Sequence, residues 1–258
     1  MGRGNSRRRS EALSWGVLKE GKSIWTINAV PGHSVYGESL RRIQGMECRR
    51  WDPTRSKLGA GILRTRDDPA LLLPEEGSTV LYLGAGHGTS ISHLHDHLCG
   101  EGNDLNGRLV AVDLAPRCLR ELTHMAKSRP GLVPVLGDAR QHAAWGVLLP
   151  TKVNWLFQDV AQAGQVDIFI AACRRFLERN GTGLLSLKAA SERWTGEGEE
   201  ALFTSVEQTL ESSGFEVEER IELAGYEDNH VLFAVRKFCL LYTSDAADDT
   251  PCVDLGGR

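Results

Sequence analysis

From Pro74 onward the chain alternates short, continuous apolar runs with longer amphipathic ones, and this alternation leaves few folds open. Residues 79–83, 108–113, 132–136, 153–158 and 183–188 read as strands buried on both faces, and residues 90–98, 116–127, 162–179 and 199–213 as the helices between them. Strand and helix in strict alternation predict an α/β fold with a mostly parallel, doubly wound sheet. Residues 215–222 and 230–236 follow as two more strands joined by a turn rich in Gly, Asp and Asn, which predicts an antiparallel hairpin at one sheet edge. Seven strands, Rossmann-like and ending in an antiparallel pair, complete the expected sheet.

The chain ahead of this unit has a different texture. Segments 16–19, 23–29 and 46–51 are short, rich in apolar and β-branched residues and punctuated by Gly and Pro, which predicts a small β-rich domain over 11–52. A helix over 53–63, opened by Pro53, leads into the main domain, which is expected to span 53–238. Residues 1–10 are polar and Arg-rich and read as a disordered basic arm. Residues 239–258 lack any strand or helix period and follow a sheet that is already complete, so they read as a disordered tail or translated vector sequence outside the fold.

Charge is distributed unevenly. Residues 1–66 hold 14 Lys and Arg against 5 Asp and Glu, leaving 16 against 29 in the remainder, although the whole chain carries only −4. A basic end on a mildly acidic protein suggests that one side meets a polyanion, while the low total argues against unaided capture of nucleic acid. The six cysteines, Cys48, Cys99, Cys118, Cys173, Cys239 and Cys252, form no CxxC pair or disulfide framework, and a reducing compartment, the cytoplasm, is expected. No apolar run has the length of a membrane span, so no membrane partner is expected.

The first strand of the main domain runs into a glycine-rich turn, Gly84-Ala85-Gly86-His87-Gly88-Thr89-Ser90, that opens a helix. Such a turn brings backbone amides within contact distance of a ligand. Its GxGxG spacing departs from the dinucleotide GxGxxG, and by itself the turn is a weak signal. Three acids follow at successive strand ends: Asp113, suited to ribose hydroxyls, Asp138 in Gly137-Asp138-Ala139, suited to an adenine amino group, and Asp159. Three carboxylates in one crevice would repel a pyrophosphate and suit a sulfonium, so a methyl donor is favoured over a nicotinamide cofactor.

Lys57, Asp159, Lys188 and His230 have the chemistry to act on an acceptor hydroxyl. Lys188 closes an otherwise apolar strand, where desolvation and a nearby cation would make it a plausible base. Each residue also has an ordinary reading: a strand-end charge for Lys188, a hydrogen-bonded histidine for His230, a helix-surface lysine for Lys57. His93, His95 and His97 invite a metal reading, since two of them share a helix face, but no third ligand is evident and no metal is expected.

Seven separated blocks, in order, resemble the fibrillarin family and its archaeal RNA 2′-O-methyltransferases: Val35-Tyr36-Gly37-Glu38, RRWDPTRSKLGAGIL from Arg49, VLYLGAGHGTSISH from Val80, Gly137-Asp138-Ala139-Arg140, FQDVAQ from Phe157, LSLKA from Leu185 and YEDNHVLFAV from Tyr226. The resemblance implies the class I S-adenosylmethionine-dependent methyltransferase version of this fold, and transfer of methyl from S-adenosyl-L-methionine to ribose 2′-hydroxyls of rRNA or tRNA. It also implies a catalytic set of Lys57, Asp159, Lys188 and His230. Implied cofactor contacts are Gly84, Ala85, Gly86, Gly88, Thr89 and Ser90 in the loop, Asp113 and Leu114 at the ribose, Asp138 and Ala139 at adenine, and Asp159, Val160, Ala161 and Gln162 beside the methionyl part. Implied partners are a Nop5-type scaffold, box C/D guide RNA with its target and, indirectly, an L7Ae-type kink-turn protein. A nucleolar location would be implied only for a eukaryotic member. Ser90, Gly86-His87 and Asp113 depart from the usual Thr, Ala-Ser and Glu, and residues 100–107 read as a small insertion. Two readings remain beside this one: a protein methyltransferase with the same cofactor, and a non-catalytic, cofactor-binding subunit of a ribonucleoprotein.

Overall fold

A computed structural model describes residues 10–192 and 198–238, so the expectations for the basic arm and the tail lie outside the described residues, apart from Ser10. Five antiparallel strands come first: β1 (Glu11–Ser14), β2 (Val17–Glu20), β3 (Ser23–Ile27), β4 (Leu40–Ile43) and β5 (Met46–Trp51), in the order β1-β2-β3-β5-β4. Of these, β1 and β4 escape sequence reading because EALS and LRRI are too short and polar to show a period. After Trp51 a single 3₁₀ turn at Pro53–Arg55 precedes α1 (Lys57–Arg64), where one continuous helix over 53–63 is predicted. The break falls at Ser56, whose extended backbone and hydroxyl cap α1 by accepting from the Gly59 amide at 3.1 Å.

The main sheet contains β6 (Thr79–Leu83), β7 (Arg108–Asp113), β8 (Leu132–Leu136), β9 (Val153–Gln158), β10 (Leu177–Lys188), β11 (Phe215–Glu222) and β12 (His230–Lys237), ordered β11-β12-β10-β9-β6-β7-β8. Pairs among β6 to β10 are parallel, and β12 runs antiparallel to both β10 and β11, which is the expected edge hairpin. The helices are α2 (Thr89–Cys99), α3 (Pro116–Ala126), a short α4 (His142–Trp145), α5 (Gln165–Phe176) and α6 (Gly198–Ser212). α5 starts three residues later than predicted because Gly164 takes a left-handed φ of 78° as its N-cap. β10 starts six residues earlier, its pairing with β9 shifting register between Leu177 and Thr182. Residues 100–107, read as an insertion, make one 3₁₀ turn and return to β7.

Apolar packing covers both faces of the main sheet. One face buries Phe169, Phe176, Leu185, Phe203 and Phe233. The other buries Leu58, Ile62, Ile91, Leu94 and Phe157, and it continues into the N-terminal sheet through Val17, Ile24 and Trp51. The two sheets are therefore joined by a shared core. On that face α1 lies close against β12, because a methyl at Gly61 would come within 2.6 Å of Leu232. Among the described residues no helix is long and apolar enough to cross a membrane.

Polar groups complete the junction. Arg49 is fully buried, donating to Glu38 and to Asp96 at 2.6 Å each, while Arg129 reaches the other oxygen of Asp96 at 3.0 Å. One of the basic residues of the N-terminal third is thus committed inward and is not available to a polyanion. His93 stacks on Trp51 with ring centres 4.9 Å apart and meets the hydroxyls of Thr26 and Tyr36 at 2.6 and 2.7 Å. The Tyr36 hydroxyl donates to the Arg50 carbonyl, so in this network the His93 Nε2–H donates to Tyr36 and Nδ1 accepts from Thr26. That assignment makes the ring neutral, consistent with burial holding its pKa well below 6.5. His97 is held by the carbonyls of Trp15 and Pro74, and His95 by that of Pro130. These are structural histidines, and no metal-competent cluster occurs among the described residues.

Candidate active site

Reversal of strand order between β6 and β9 opens a crevice at their carboxyl ends, the position where open α/β sheets bind ligands. The loops after β6 and β9 touch: Asp159 N–H donates to the Leu83 carbonyl at 2.8 Å. Gly84, at φ +83°, makes this approach possible, since any Cβ there would fall 2.1 Å from the Asp159 carbonyl oxygen. After β7, the Asp113 carboxylate accepts from the Gly86 amide at 2.7 Å and from the Ala115 amide at 2.8 Å. It fastens the glycine turn while keeping lone pairs for further donors.

The resulting cavity, about 830 Å³, is lined by Gly84, Gly86, Asp113, Leu114, Ala139 and Asp159 to Gln162, together with Lys57, Lys188 and His230. All four expected catalytic residues meet here, although they come from α1, the loop after β9, the end of β10 and the start of β12. Lys57 is the first residue of α1. Lys188 and His230 are direct cross-strand partners in the β10–β12 ladder, so their side chains leave the same face of the sheet.

Several expected cofactor contacts lie elsewhere. Asp138 does not line the cavity; its carboxylate is only 9% exposed and is held from both oxygens by Arg140, with Nη2 at 2.6 Å. Those side-chain hydrogen bonds lower the Asp138 pKa to about 2. Only two of the three strand-end acids, Asp113 and Asp159, therefore open directly onto the crevice. Ser90 is buried and its hydroxyl meets that of Ser56 at 2.7 Å, so it joins the N-termini of α2 and α1 instead of facing a ligand. Ala85, Gly88 and Thr89 also lie outside the lining, while the amide of Gly86 and the backbone of Gly84 border it.

The charged rim is open. Lys57 Nζ lies 3.4 Å from Asp159 Oδ2 and 3.9 Å from Glu227 Oε1, and all three side chains are about a quarter exposed. Burial raises the Asp159 pKa above the ordinary carboxyl value, against the opposing charge of Lys57. His230 Nδ1–H donates to the Asp228 carbonyl at 3.0 Å, which orients the ring. Lys188 is exposed, so the desolvation expected at this strand end is not supplied by the chain alone. Its backbone is fixed nonetheless: the fully buried Gln165 side chain accepts from Lys188 N–H at 3.1 Å and donates to the Lys188 carbonyl at 3.2 Å.

Sequence reading assigned no role to Gln165 or Glu227. Glu227 lies within the quoted block YEDNHVLFAV, and Gln165 is an amide opening a helix directly after a glycine. Neither signal is informative until the fold brings residues 188 and 57 beside them.

A family model for fibrillarin matches residues 7–238. The fibrillarin-like rRNA/tRNA 2′-O-methyltransferase of Thermococcus gammatolerans is 44% identical over 216 residues, covering 84% of this chain and 91% of that one. Among solved structures, Aeropyrum pernix fibrillarin with natively bound S-adenosyl-L-methionine superposes with a TM-score of 0.74 at 33% identity, covering 88% of this chain and 96% of that chain. A chain of a fibrillarin/Nop5p complex gives the same score at 30% identity, covering 88% and 100%. With the seven motif blocks, the crevice and these matches in agreement, the chain belongs to the fibrillarin family.

Proposed function

We propose that this protein is an S-adenosylmethionine-dependent RNA methyltransferase that acts on ribose 2′-hydroxyls of rRNA or tRNA within a box C/D ribonucleoprotein. The observation that carries this reading is the convergence of Lys57, Asp159, Lys188 and His230 on one cavity that the glycine turn also lines. The donor set fits the cofactor. Asp113 retains acceptor capacity for ribose hydroxyls, Gly86 offers backbone, and Leu114 and Ala139 provide apolar surface for a purine. Asp138 would read the adenine amino group only if one oxygen remained available beside Arg140.

When bound, S-adenosylmethionine supplies an electrophilic methyl on a sulfonium sulfur. The chain must then align the acceptor oxygen and accept its proton. Lys188 Nζ is the exposed amine on the acceptor side, and the Gln165 clamp fixes the backbone from which it extends. Lys57, paired with Asp159, places a positive charge where a 2′-oxygen gains negative character. RNA covering the rim would complete the desolvation of Lys188 that the protein leaves undone.

Support for a Nop5-type scaffold is the likeness to a chain from a fibrillarin/Nop5p complex. Guide RNA pairing to select the nucleotide, an L7Ae-type protein in the same particle and a cytoplasmic location extend this reading. The weak total charge agrees with affinity supplied by an assembly, with exposed arginines of the N-terminal third meeting RNA locally. The test is reconstitution with a Nop5-type scaffold, L7Ae-type protein, guide RNA, target RNA and methyl-labelled S-adenosylmethionine. Label on the ribose of the guide-paired nucleotide is expected, and label on protein alone would sink the proposal.

A further inference from the structure

Glu227 lies between two members of the catalytic set without belonging to it. Its Oε1 is 3.9 Å from Lys57 Nζ and its Oε2 is 4.0 Å from His230 Nδ1, so one carboxylate spans residues brought from opposite ends of the main domain. Its place in space is well determined. Glu227 N–H and Tyr226 N–H both donate to the Leu223 carbonyl at 3.0 Å, closing a tight turn after β11. Arg64 stacks over the Tyr226 ring at 5.2 Å and also donates to the Ala224 carbonyl. Lys57 and Arg64 stand seven residues apart on α1, on one helix face, so the helix that presents Lys57 also grips the loop that presents Glu227.

We propose that Glu227 is a positioning residue for methyl transfer, holding the Lys57 ammonium and the His230 imidazole in register with Lys188; this rests on the 2′-O-methyltransferase reading. Lys57 is held from two sides, by Asp159 and by Glu227. Without Glu227, Lys57 keeps one carboxylate and can swing about it. His230 is oriented by the Asp228 carbonyl at Nδ1, and a Glu227 carboxylate oxygen lies 4.0 Å from the same nitrogen. Glu227 acts through these two groups and needs no contact with RNA or cofactor.

The charged and titratable groups around this cluster are Lys57 from α1, Asp159 after β9, Lys188 at the end of β10, Asp228 and His230 at the hairpin, and Glu199, Glu200 and Glu222 along an adjoining groove.

The experiment compares wild type, Glu227→Gln and Glu227→Asp in the reconstituted particle, with S-adenosylmethionine affinity measured by calorimetry. For Glu227→Gln we expect kcat to fall by about tenfold or more while KM for RNA and cofactor affinity stay within about twofold. Glu227→Asp should recover most of kcat. Wild-type kcat in Glu227→Gln would overturn the proposal. So would a loss of kcat accompanied by a comparable rise in KM or loss of cofactor affinity, with no recovery in Glu227→Asp, the pattern of a purely structural residue. If wild type itself placed no label on ribose, the functional reading would fall first and this inference with it.

Discussion

Two clusters of carboxylates and basic side chains, one at the sheet junction and one at the crevice rim, are constructed in opposite ways. In the junction, Arg49, Glu38, Asp96 and Arg129 pair at 2.6 to 3.0 Å with almost no exposure. At the rim, Lys57, Asp159, Glu227 and His230 stand 3.4 to 4.0 Å apart and are partly open to solvent. The difference separates charges that hold a fold together from charges that await a substrate. Burial favours matched lone pairs and protons, with Arg129 Nη2 the exception in the junction, whereas a reactive rim must keep some unmatched.

The comparison is tested most severely by Lys188→Ala, which should lower kcat by roughly 10² to 10⁴-fold while S-adenosylmethionine binding and thermal stability hold. Turnover that survives would remove Lys188 from the chemistry and leave the open rim unexplained. Next comes Asp96→Ala, expected to cost about 3 to 5 kcal/mol in chemical denaturation because it leaves buried Arg129 without a carboxylate and Arg49 with Glu38 alone. Lys57→Ala should cost less than about 1 kcal/mol by the same measurement yet impair turnover. Equal losses of stability in these two variants would erase the distinction between the clusters.

Acid should act on the junction with a definite sign. Burial alone would raise the Asp96 pKa, but the His95 hydrogen bond and the charges of Arg49 and Arg129 hold it well below the usual range. Glu38 is also lowered, Arg49 and the amides of Val35 and Tyr36 outweighing burial. Groups lowered in the folded state stabilise it above their unfolded values near about 4, and that contribution is lost as pH falls through the folded values. His93, kept neutral by burial, resists the proton that an unfolded chain binds below about 6.5, so its effect has the same direction and begins earlier. The melting temperature should therefore decline gently below about pH 6.5 and steeply below about 4. A melting temperature unchanged between pH 7 and 5 would contradict a neutral His93. The smallest effect belongs to Arg236→Ala, which breaks a part-exposed pair with Glu218 and should change stability by about 0.2 to 1 kcal/mol.

Sequence reading located the main sheet well because its strands are continuous apolar runs: β6, β7, β8, β9 and β11 coincide with the predicted segments. It failed where periodicity carries no information, as in polar β1 and β4 and in the Glu178–Gly181 part of β10. Lys57, Asp159, Lys188 and His230 were recognisable by family resemblance. The roles of Gln165, Glu227 and Arg140 were not, since each acts on a partner that only folding, or in the case of Arg140 a specific rotamer, brings into range. Ser90 shows the converse: its place after the glycine turn suggested a ligand contact, and packing against Ser56 claimed its hydroxyl.

The Gly84 backbone rests directly on that of Asp159, so the turn after β6 and the segment after β9 meet with no side chain between them. Any larger residue at position 84 would have to wedge the two loops apart, so the spacing of the crevice walls is set by main chain against main chain.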